Sequence, residues 1–281
     1  MFEFGEIQHQ ELPADLKPRV MREIANFTVA VVVGDEVLAS GTLIDIANRR
    51  GILTAYHVAS RVIKADDDAV ALVVADHPHR LCLRRSHLVH VIVGEPSSPD
   101  KEWKPDLSFL SIGDQSLLAT LESKKSFLHL DKRSEGTFLA YPHRERLWWF
   151  VAGFPAEFCR RVKVRESGEV LTCSSNFVGE ATFDCHFHEG RFDYLRLQLC
   201  AGAHDFPSNY GGLSGGGIWM VPLEMDPDKG PSTASARELF LAGVCCYQSA
   251  PTVAGRDIEG HGPGSIYRCL RKALAETATN G

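Results

Sequence analysis

The residues that most invite chemistry lie in the stretch Asn209-Tyr210-Gly211-Gly212-Leu213-Ser214-Gly215-Gly216-Gly217-Ile218-Trp219, in which glycine and serine occupy six positions and an apolar run follows at once. Glycines cost backbone entropy on folding. A cluster of them implies a turn needing φ > 0, or backbone N–H groups that must stand unhindered. A serine inside such a turn is held exposed, with neighbouring N–H groups directed at the atom its oxygen would attack, which is the geometry of an oxyanion hole. The competing reading is a glycine-rich hairpin with a bystander serine.

A serine hydroxyl is a poor nucleophile at neutral pH and needs a base, usually histidine, which in turn needs an acid to hold its tautomer. Two upstream segments supply candidates. Leu53-Thr54-Ala55-Tyr56-His57-Val58 resembles the histidine motif of the chymotrypsin/trypsin-like serine protease family. Pro105-Asp106-Leu107-Ser108-Phe109-Leu110 resembles its aspartate motif, and Gly212-Leu213-Ser214-Gly215-Gly216-Gly217 its serine motif. The order His, Asp, Ser matches the family, with separations of 49 and 108 residues. Leu241-Ala242-Gly243-Val244-Cys245-Cys246-Tyr247 is similar to the strand that pairs with substrate backbone, and Gly262-Pro263-Gly264-Ser265-Ile266-Tyr267 before a terminal helix also matches. The resemblance runs from about Phe27 to Ala275.

The resemblance implies an all-β fold of two six-stranded antiparallel Greek-key barrels with a C-terminal α-helix. It implies Ser214 as nucleophile, His57 as general base and acid, and Asp106 as its orienting partner. The backbone N–H groups of Gly212 and Ser214 would bind the oxyanion, and a protein or peptide substrate would be hydrolysed through an acyl-enzyme without metal or organic cofactor. Substrate would lie along Cys246 and Tyr247. Ungapped counting puts Ser208 near the base of the specificity pocket and Gln248 on its wall, with Asp205 close by. Neither Ser208 nor Gln248 offers a negative charge, so an uncharged or small pocket is expected. One departure matters. Leu213 stands where zymogen-activated members keep an aspartate that pairs with a freed N-terminus, and no activation site precedes Phe27. Activation by a new N-terminus is therefore not expected; the resemblance leaves a constitutive enzyme or one switched by a protein partner, as in bacterial stress-response or antiviral settings. The alternative is a catalytically silent binding module or partner-gated effector on the same fold.

These residues must be positioned by many short strands. The β-branched run at 27–33 closes on Gly34-Asp35, a hairpin signal, and strands are expected at 37–46, 52–55, 69–75, 81–83, 88–93 and 106–112. Residues 113–136 read as a helical or irregular connector. Further strands are expected at 147–152, 162–164, 169–173, 177–183, 194–199, 215–221 and 239–247, with an exposed loop at 226–236. An amphipathic helix over 266–277 places Ile266, Leu270, Ala273 and Leu274 on one face. Short strands at close spacing with one late helix indicate a barrel or sandwich. The expected organisation is an N-terminal extension (1–24) lying over the domain, a first barrel (25–136) and a second barrel with the helix (137–281).

Composition narrows the classes. The chain has 281 residues, 44% hydrophobic, enough for a substantial core. A net charge of −6 argues against nucleic acid or anionic membrane as partner. No apolar run reaches the ~20 residues needed to span a bilayer, and the acidic N-terminus lacks the pattern of a signal peptide. Eight scattered cysteines without Cys-x-x-Cys read as reduced, buried thiols of a cytoplasmic protein.

Other readings compete. Gly212-Leu213-Ser214-Gly215-Gly216 also fits the Gly-x-Ser-x-Gly nucleophile elbow, but that fold needs a helix after the serine, whereas 216–222 is strand-like, and Asp257 and His261 read as part of a glycine-rich loop. His186 and His188, with His77 and His79, raise a metal site, against which exposed hairpin histidines are favoured. Cys245 and Cys246 should point to opposite faces of a strand, with core on one side. The basic run at 159–165 reads as a solvated or partner-binding edge.

Overall fold

A computed structural model describes residues 12–34, 36–67, 69–74, 80–96, 104–132, 147–164, 168–173, 176–200, 206–226, 228–250 and 255–279. The first half contains β1 (Thr28–Val33), β2 (Glu36–Ile46), β3 (Arg49–Thr54), β4 (Val70–Val73), β5 (Arg80–Cys82), β6 (Leu88–Gly94), β7 (Leu107–Ile112) and β8 (Leu128–His129). They pair in the order β5-β4-β1-β2-β3-β7-β6, antiparallel throughout, with β8 running parallel beside β2. The second half contains β9 (Leu147–Gly153), β10 (Cys159–Val164), β11 (Gly168–Cys173), β12 (Phe177–Glu189), β13 (Phe192–Cys200), β14 (Gly217–Glu224), β15 (Ser235–Ala236), β16 (Phe240–Gln248) and β17 (Gly255–His261). Here the order is β15-β14-β16-β17-β13-β12-β9, and β9 also pairs with β14; β10 and β11 pair only with each other.

The molecule is therefore mostly β, with two large sheets and a C-terminal helix. The expectation of two closed six-stranded barrels is not met as stated. The first sheet has eight strands and ends on β5 and β6. The run at 28–33 is buried on both faces because β1 lies between two packed layers. Val29 and Val31 face the core of the first sheet, while Ala30 and Val32 face Phe154. Such a strand loses its polar alternation and reads as a continuous apolar run.

Among the described residues four α-helices accompany the sheets: α1 (Leu16–Ala25), α2 (Tyr56–Lys64), α3 (Gln115–Glu122) and α4 (Leu270–Thr279). Only the last was expected outright. It is preceded by a π-helical turn, Gly264–Cys269, so the segment expected as one helix starts with wider winding. The segment 12–25 is not an overlying extension. Leu16, Val20 and Ile24, spaced by four, are buried in the largest core cluster beside Phe150, Trp219 and Leu274. Each such side chain contributes roughly 1.5–3 kcal/mol by burial. Its charges (Lys17, Arg19, Arg22, Glu23) had masked this stripe. The same cluster draws Ile44, Leu53 and Phe109 from the first half and Trp148, Trp219 and Leu241 from the second, so one core spans both. Residues 255–261, expected as loop, form β17 between β13 and β16.

The C-terminal segment is locked by Asp193 of β13. Its buried carboxylate accepts hydrogen bonds from the N–H groups of Gly264 (2.9 Å) and Ser265 (2.6 Å), the Ser265 hydroxyl (2.7 Å) and His186 Nε2 (2.9 Å). Burial alone would raise its pKa, but the bonds from His186, Ser265 and Gly264 outweigh it and hold the group at about 2. A carboxylate depressed in the fold adds stability that is complete above its ordinary value of 3.8 and is lost as pH falls towards 2. Asp193→Ala, which strands several buried donors, should lower the unfolding free energy by at least about 3 kcal/mol in urea titrations and remove that acid limb.

Candidate active site

His57 sits in the first turn of α2, which follows β3 through Ala55 in extended conformation (ψ 147°). Val58, Ala59 and Val62 turn inward, which leaves the His57 ring on the outer side, half exposed. Asp106 lies just before β7 and is buried, with 3% of its surface exposed. Its two oxygens grip His57 in two places. Oδ2 is 2.7 Å from His57 Nδ1, and Oδ1 accepts the His57 backbone N–H at 2.9 Å. With Nδ1 donating to the carboxylate, the lone pair is carried on Nε2, the arrangement a general base needs.

Behind Asp106 stands a histidine, His261, that the sequence reading had placed in a glycine-rich loop. The Asp106 backbone N–H donates to His261 Nε2 at 3.0 Å. His261 is fully buried, at the C-terminal end of β17, with its ring against Tyr194 (4.8 Å between centroids) and Phe192 (5.5 Å). Burial lowers its pKa to about 4 despite the nearby charges of Asp106 and Asp193, so the ring is neutral. Accepting at Nε2 places the proton on Nδ1, which finds no partner among the described residues. A buried orphan donor of this kind costs about 1–3 kcal/mol.

The serine loop is built by near-complete backbone bonding. Every carbonyl from Tyr210 to Gly216 accepts a hydrogen bond. Tyr210 O takes the N–H of Leu213, Gly211 O that of Ala156 and Leu213 O that of Gly216. The Ser40 hydroxyl donates to Gly212 O (2.7 Å), the Ser40 N–H to Ser214 O (2.9 Å) and the Thr42 hydroxyl to Gly215 O (3.3 Å), while Cys245 N–H closes on Gly216 O (2.8 Å). The donors are as fully used, with two exceptions. Tyr210, Gly211, Leu213, Gly215 and Gly216 all donate, to Gln248 Oε1, Asn209 Oδ1, Tyr210 O, Cys245 O and Leu213 O respectively. The N–H groups of Gly212 and Ser214 donate to nothing among the described residues. A trans peptide sets its N–H opposite its C=O. Tying Gly211 O to Ala156 and Leu213 O to Gly216 therefore turns both free N–H groups away from the scaffold. Gly212 has φ +94°, and a Cβ there would lie 2.7 Å from Phe154 O, so the turn requires glycine. Leu213 between them is buried, 2% exposed, against an apolar cluster.

His57 and Ser214 line one cavity of about 290 Å³. Its other walls are Tyr210, Gly211 and Leu213 from the serine loop, Cys245–Gln248 from β16 and Ile258 from β17. No hydrogen bond joins Ser214 Oγ to His57; such bonds commonly tighten only around substrate. Cys246, Tyr247 and Gln248 line the cavity. Ser208 does not. It is exposed, outside the lining, with its N–H and hydroxyl bound to Glu157 (both 2.9 Å), which together with Asn209 hold that carboxylate below its usual range. Tyr210 takes its place in the wall because Gln248 Oε1 anchors the Tyr210 N–H (3.0 Å) while Gln248 Nε2 holds Asn209 Oδ1 (3.1 Å). Cys245 and Cys246 are both buried, Cys245 within an apolar core cluster and Cys246 outside the core clusters with its thiol on Glu259 O; β16 bulges between Cys245 and Tyr247. Burial pushes both thiols up, so they are neutral and unreactive. Asp205, His77 and His79 lie outside the described residues, as do the side chains of 160–165. His186 is engaged by Asp193, and among the described residues no group of three His, Cys, Asp or Glu is placed to hold a metal.

Ser40, Thr42 and His261 are the contributors that sequence reasoning missed. Their one signal is the presence of small hydroxyl residues in an otherwise apolar strand, and of a histidine at the end of another. The burial of His261 has a measurable consequence. A histidine depressed from 6.5 to about 4 contributes stability that is complete above about pH 6.5 and is lost as pH falls to 4, about 3 kcal/mol in all. Urea titrations across that window should show the loss in the native chain and not in His261→Gln. No protein-family model matches the chain, and no curated protein matches it, so the site is read from its own geometry.

Proposed function

We propose that the chain is a trypsin-like serine endopeptidase in which Ser214 attacks a peptide carbonyl. The observation that carries this reading is the pair of unbonded N–H groups, Gly212 and Ser214, in a loop whose every other backbone group from 210 to 216 is engaged. An isolated hairpin has no reason to leave two donors free at alternate positions, whereas an oxyanion site needs two convergent ones. The Asp106–His57 grip beside the same cavity supplies the base. In this mechanism Ser214 Oγ bonds to the carbonyl carbon as its proton passes to His57 Nε2, and Asp106 stabilises the imidazolium. The oxyanion is held by the N–H groups of Gly212 and Ser214. His57 then protonates the departing amine, and a water activated by His57 hydrolyses the acyl-enzyme.

The return of β9 onto β14 as well as β12 supports reading the second half as the family's six-stranded barrel, and the first sheet as a more open counterpart. Leu213 replaces an activating ion pair with burial, and Ser40 supplies the backbone ties. A freed N-terminus is then unnecessary to shape the loop. Apart from His57 the described residues lining the cavity carry no charged side chain, which supports an uncharged residue before the scissile bond. Among the described residues no helix is long and apolar enough to cross a membrane. Among the described side chains, Cys82, Cys185, Cys245, Cys246 and Cys269 are free thiols, in keeping with a cytoplasmic setting. An activating partner in bacterial stress or antiviral defence rests on the resemblance alone.

One observation favours the second reading, a partner-gated effector or silent binding module: Ser214 and His57 share the cavity without a hydrogen bond. A fluorophosphonate probe followed by intact mass separates the two. The peptidase reading expects one adduct on the native chain, none on Ser214→Ala, and labelling slowed by at least about a hundredfold in His57→Ala. Absence of an adduct on the native chain would favour the gated or silent protein.

A further inference from the structure

The aspartate that orients His57 is itself held, through its main chain, by one further residue. Asp106 must keep its carboxylate in place with two oxygens committed to His57, one to the ring and one to the backbone. A side chain so used is only as well placed as the main chain that carries it. The Asp106 N–H lies at the mouth of the turn into β7, where the strand ladder has not yet begun; β7 starts at Leu107. The acceptor it finds is not a backbone carbonyl but the Nε2 of His261, at 3.0 Å.

That imidazole is itself fixed from all sides. β17 pairs His261 with Tyr194 of β13 and Val244 of β16. The ring packs on Tyr194 and Phe192. The charged groups that face it are Asp106 from the β7 turn, Asp193 from β13 and Lys104 from the segment before Asp106. Asp106 and Asp193 favour its protonation, Lys104 opposes it, and burial dominates in keeping the ring neutral. Neutrality is what the contact requires, because a protonated imidazole has no lone pair to offer an N–H. A leucine or phenylalanine would fill the same volume without leaving Nδ1 unpartnered, so packing alone does not account for a histidine here.

We propose that His261 is a positioning residue of this site, a neutral acceptor that fixes the Asp106 main chain and through it the carboxylate that orients His57. The proposal rests on the triad reading for its kinetic consequence but not for its structural one. Loss of the acceptor leaves a buried N–H unpaired and lets Asp106 shift. Displacement of a catalytic group by about an ångström is enough for a hundredfold loss of rate.

The test compares His261→Leu, which removes the acceptor, with His261→Gln, whose Oε1 reaches the position of Nε2. The first readout needs no catalysis: the far-downfield proton of the Nδ1–Asp106 hydrogen bond in the proton NMR spectrum of the full chain. It should be present in the native chain and in His261→Gln, and lost or broadened in His261→Leu. The second readout is peptide hydrolysis. His261→Leu should lose about a hundredfold in kcat with little change in KM and an altered pH–rate profile, and His261→Gln should recover most of the loss. Should His261→Leu fail to fold, His261→Asn, too short to reach the Asp106 N–H, takes its place with the same expectations. A downfield proton and pH–rate profile unchanged in the acceptor-less variant would overturn the proposal. A native chain that shows the proton and loses it in that variant, yet never hydrolyses peptide or takes the probe, would uphold the positioning role while refuting the peptidase.

Discussion

The structure turns on the attachment of the serine loop to β2 through Ser40. This one residue donates its hydroxyl to Gly212 O and its N–H to Ser214 O, and receives the N–H of Phe154 on the same hydroxyl at 2.7 Å. Its own carbonyl takes the Thr54 hydroxyl at 2.9 Å, beside the strand that leads into His57. Peptide planarity does the rest. Fixing a carbonyl fixes the N–H across the same bond: the carbonyls that Ser40 holds set the N–H groups of Leu213 and Gly215, while Gly211 O on Ala156 and Leu213 O on Gly216 set the two free donors. The Ser40 side chain is thus a link between the two sheets and the element that gives the loop its shape. Leu213 adds an apolar anchor between the two free donors, where an ion pair would bring the desolvation cost of two buried charges.

The His57 ring is held by the same logic. Asp106 and His57 meet at the end of the β3–β7 pair, where β3 runs out and β7 begins, the two strands pairing directly from Gly51 to Thr54. The separation of 49 residues is closed by one antiparallel register, not by a flexible loop. Asp106 is buried and bonded and His57 is half exposed, as the proposed base would need to be in order to reach its partner. The contrast between the two exposures, 4% and 51% for the side chains, divides the labour between holding and reacting.

Much of this was legible beforehand. The glycine-rich turn announced itself because Gly212 and Gly215 adopt φ near +90°, conformations that few other residues take. The strands around His57 and Asp106 carried β-branched and apolar runs. What stayed hidden had physical reasons. α1 looked polar because its inward stripe occupies three positions in a charged segment. α2 was unseen because a helix of nine residues starting with Tyr56-His57 is stabilised by packing of Val58, Ala59 and Val62 more than by its own propensity. The strand β17 carries Gly255, Gly260 and two acids, yet pairs on both sides, so tertiary context outweighed composition. Ser208 was misplaced by counting residues without allowing for the bonds by which Glu157 draws it outward.

The most direct test of the central claim is a crystal structure of the chain treated with a fluorophosphonate. A preformed oxyanion site requires the phosphonyl oxygen of a Ser214 adduct to lie about 2.7–3.1 Å from the backbone nitrogens of both Gly212 and Ser214, with Gly211 O still bound to Ala156 N–H. A Ser214 adduct whose oxygen points elsewhere, or a Gly211–Gly212 peptide turned to present its carbonyl instead, would contradict it.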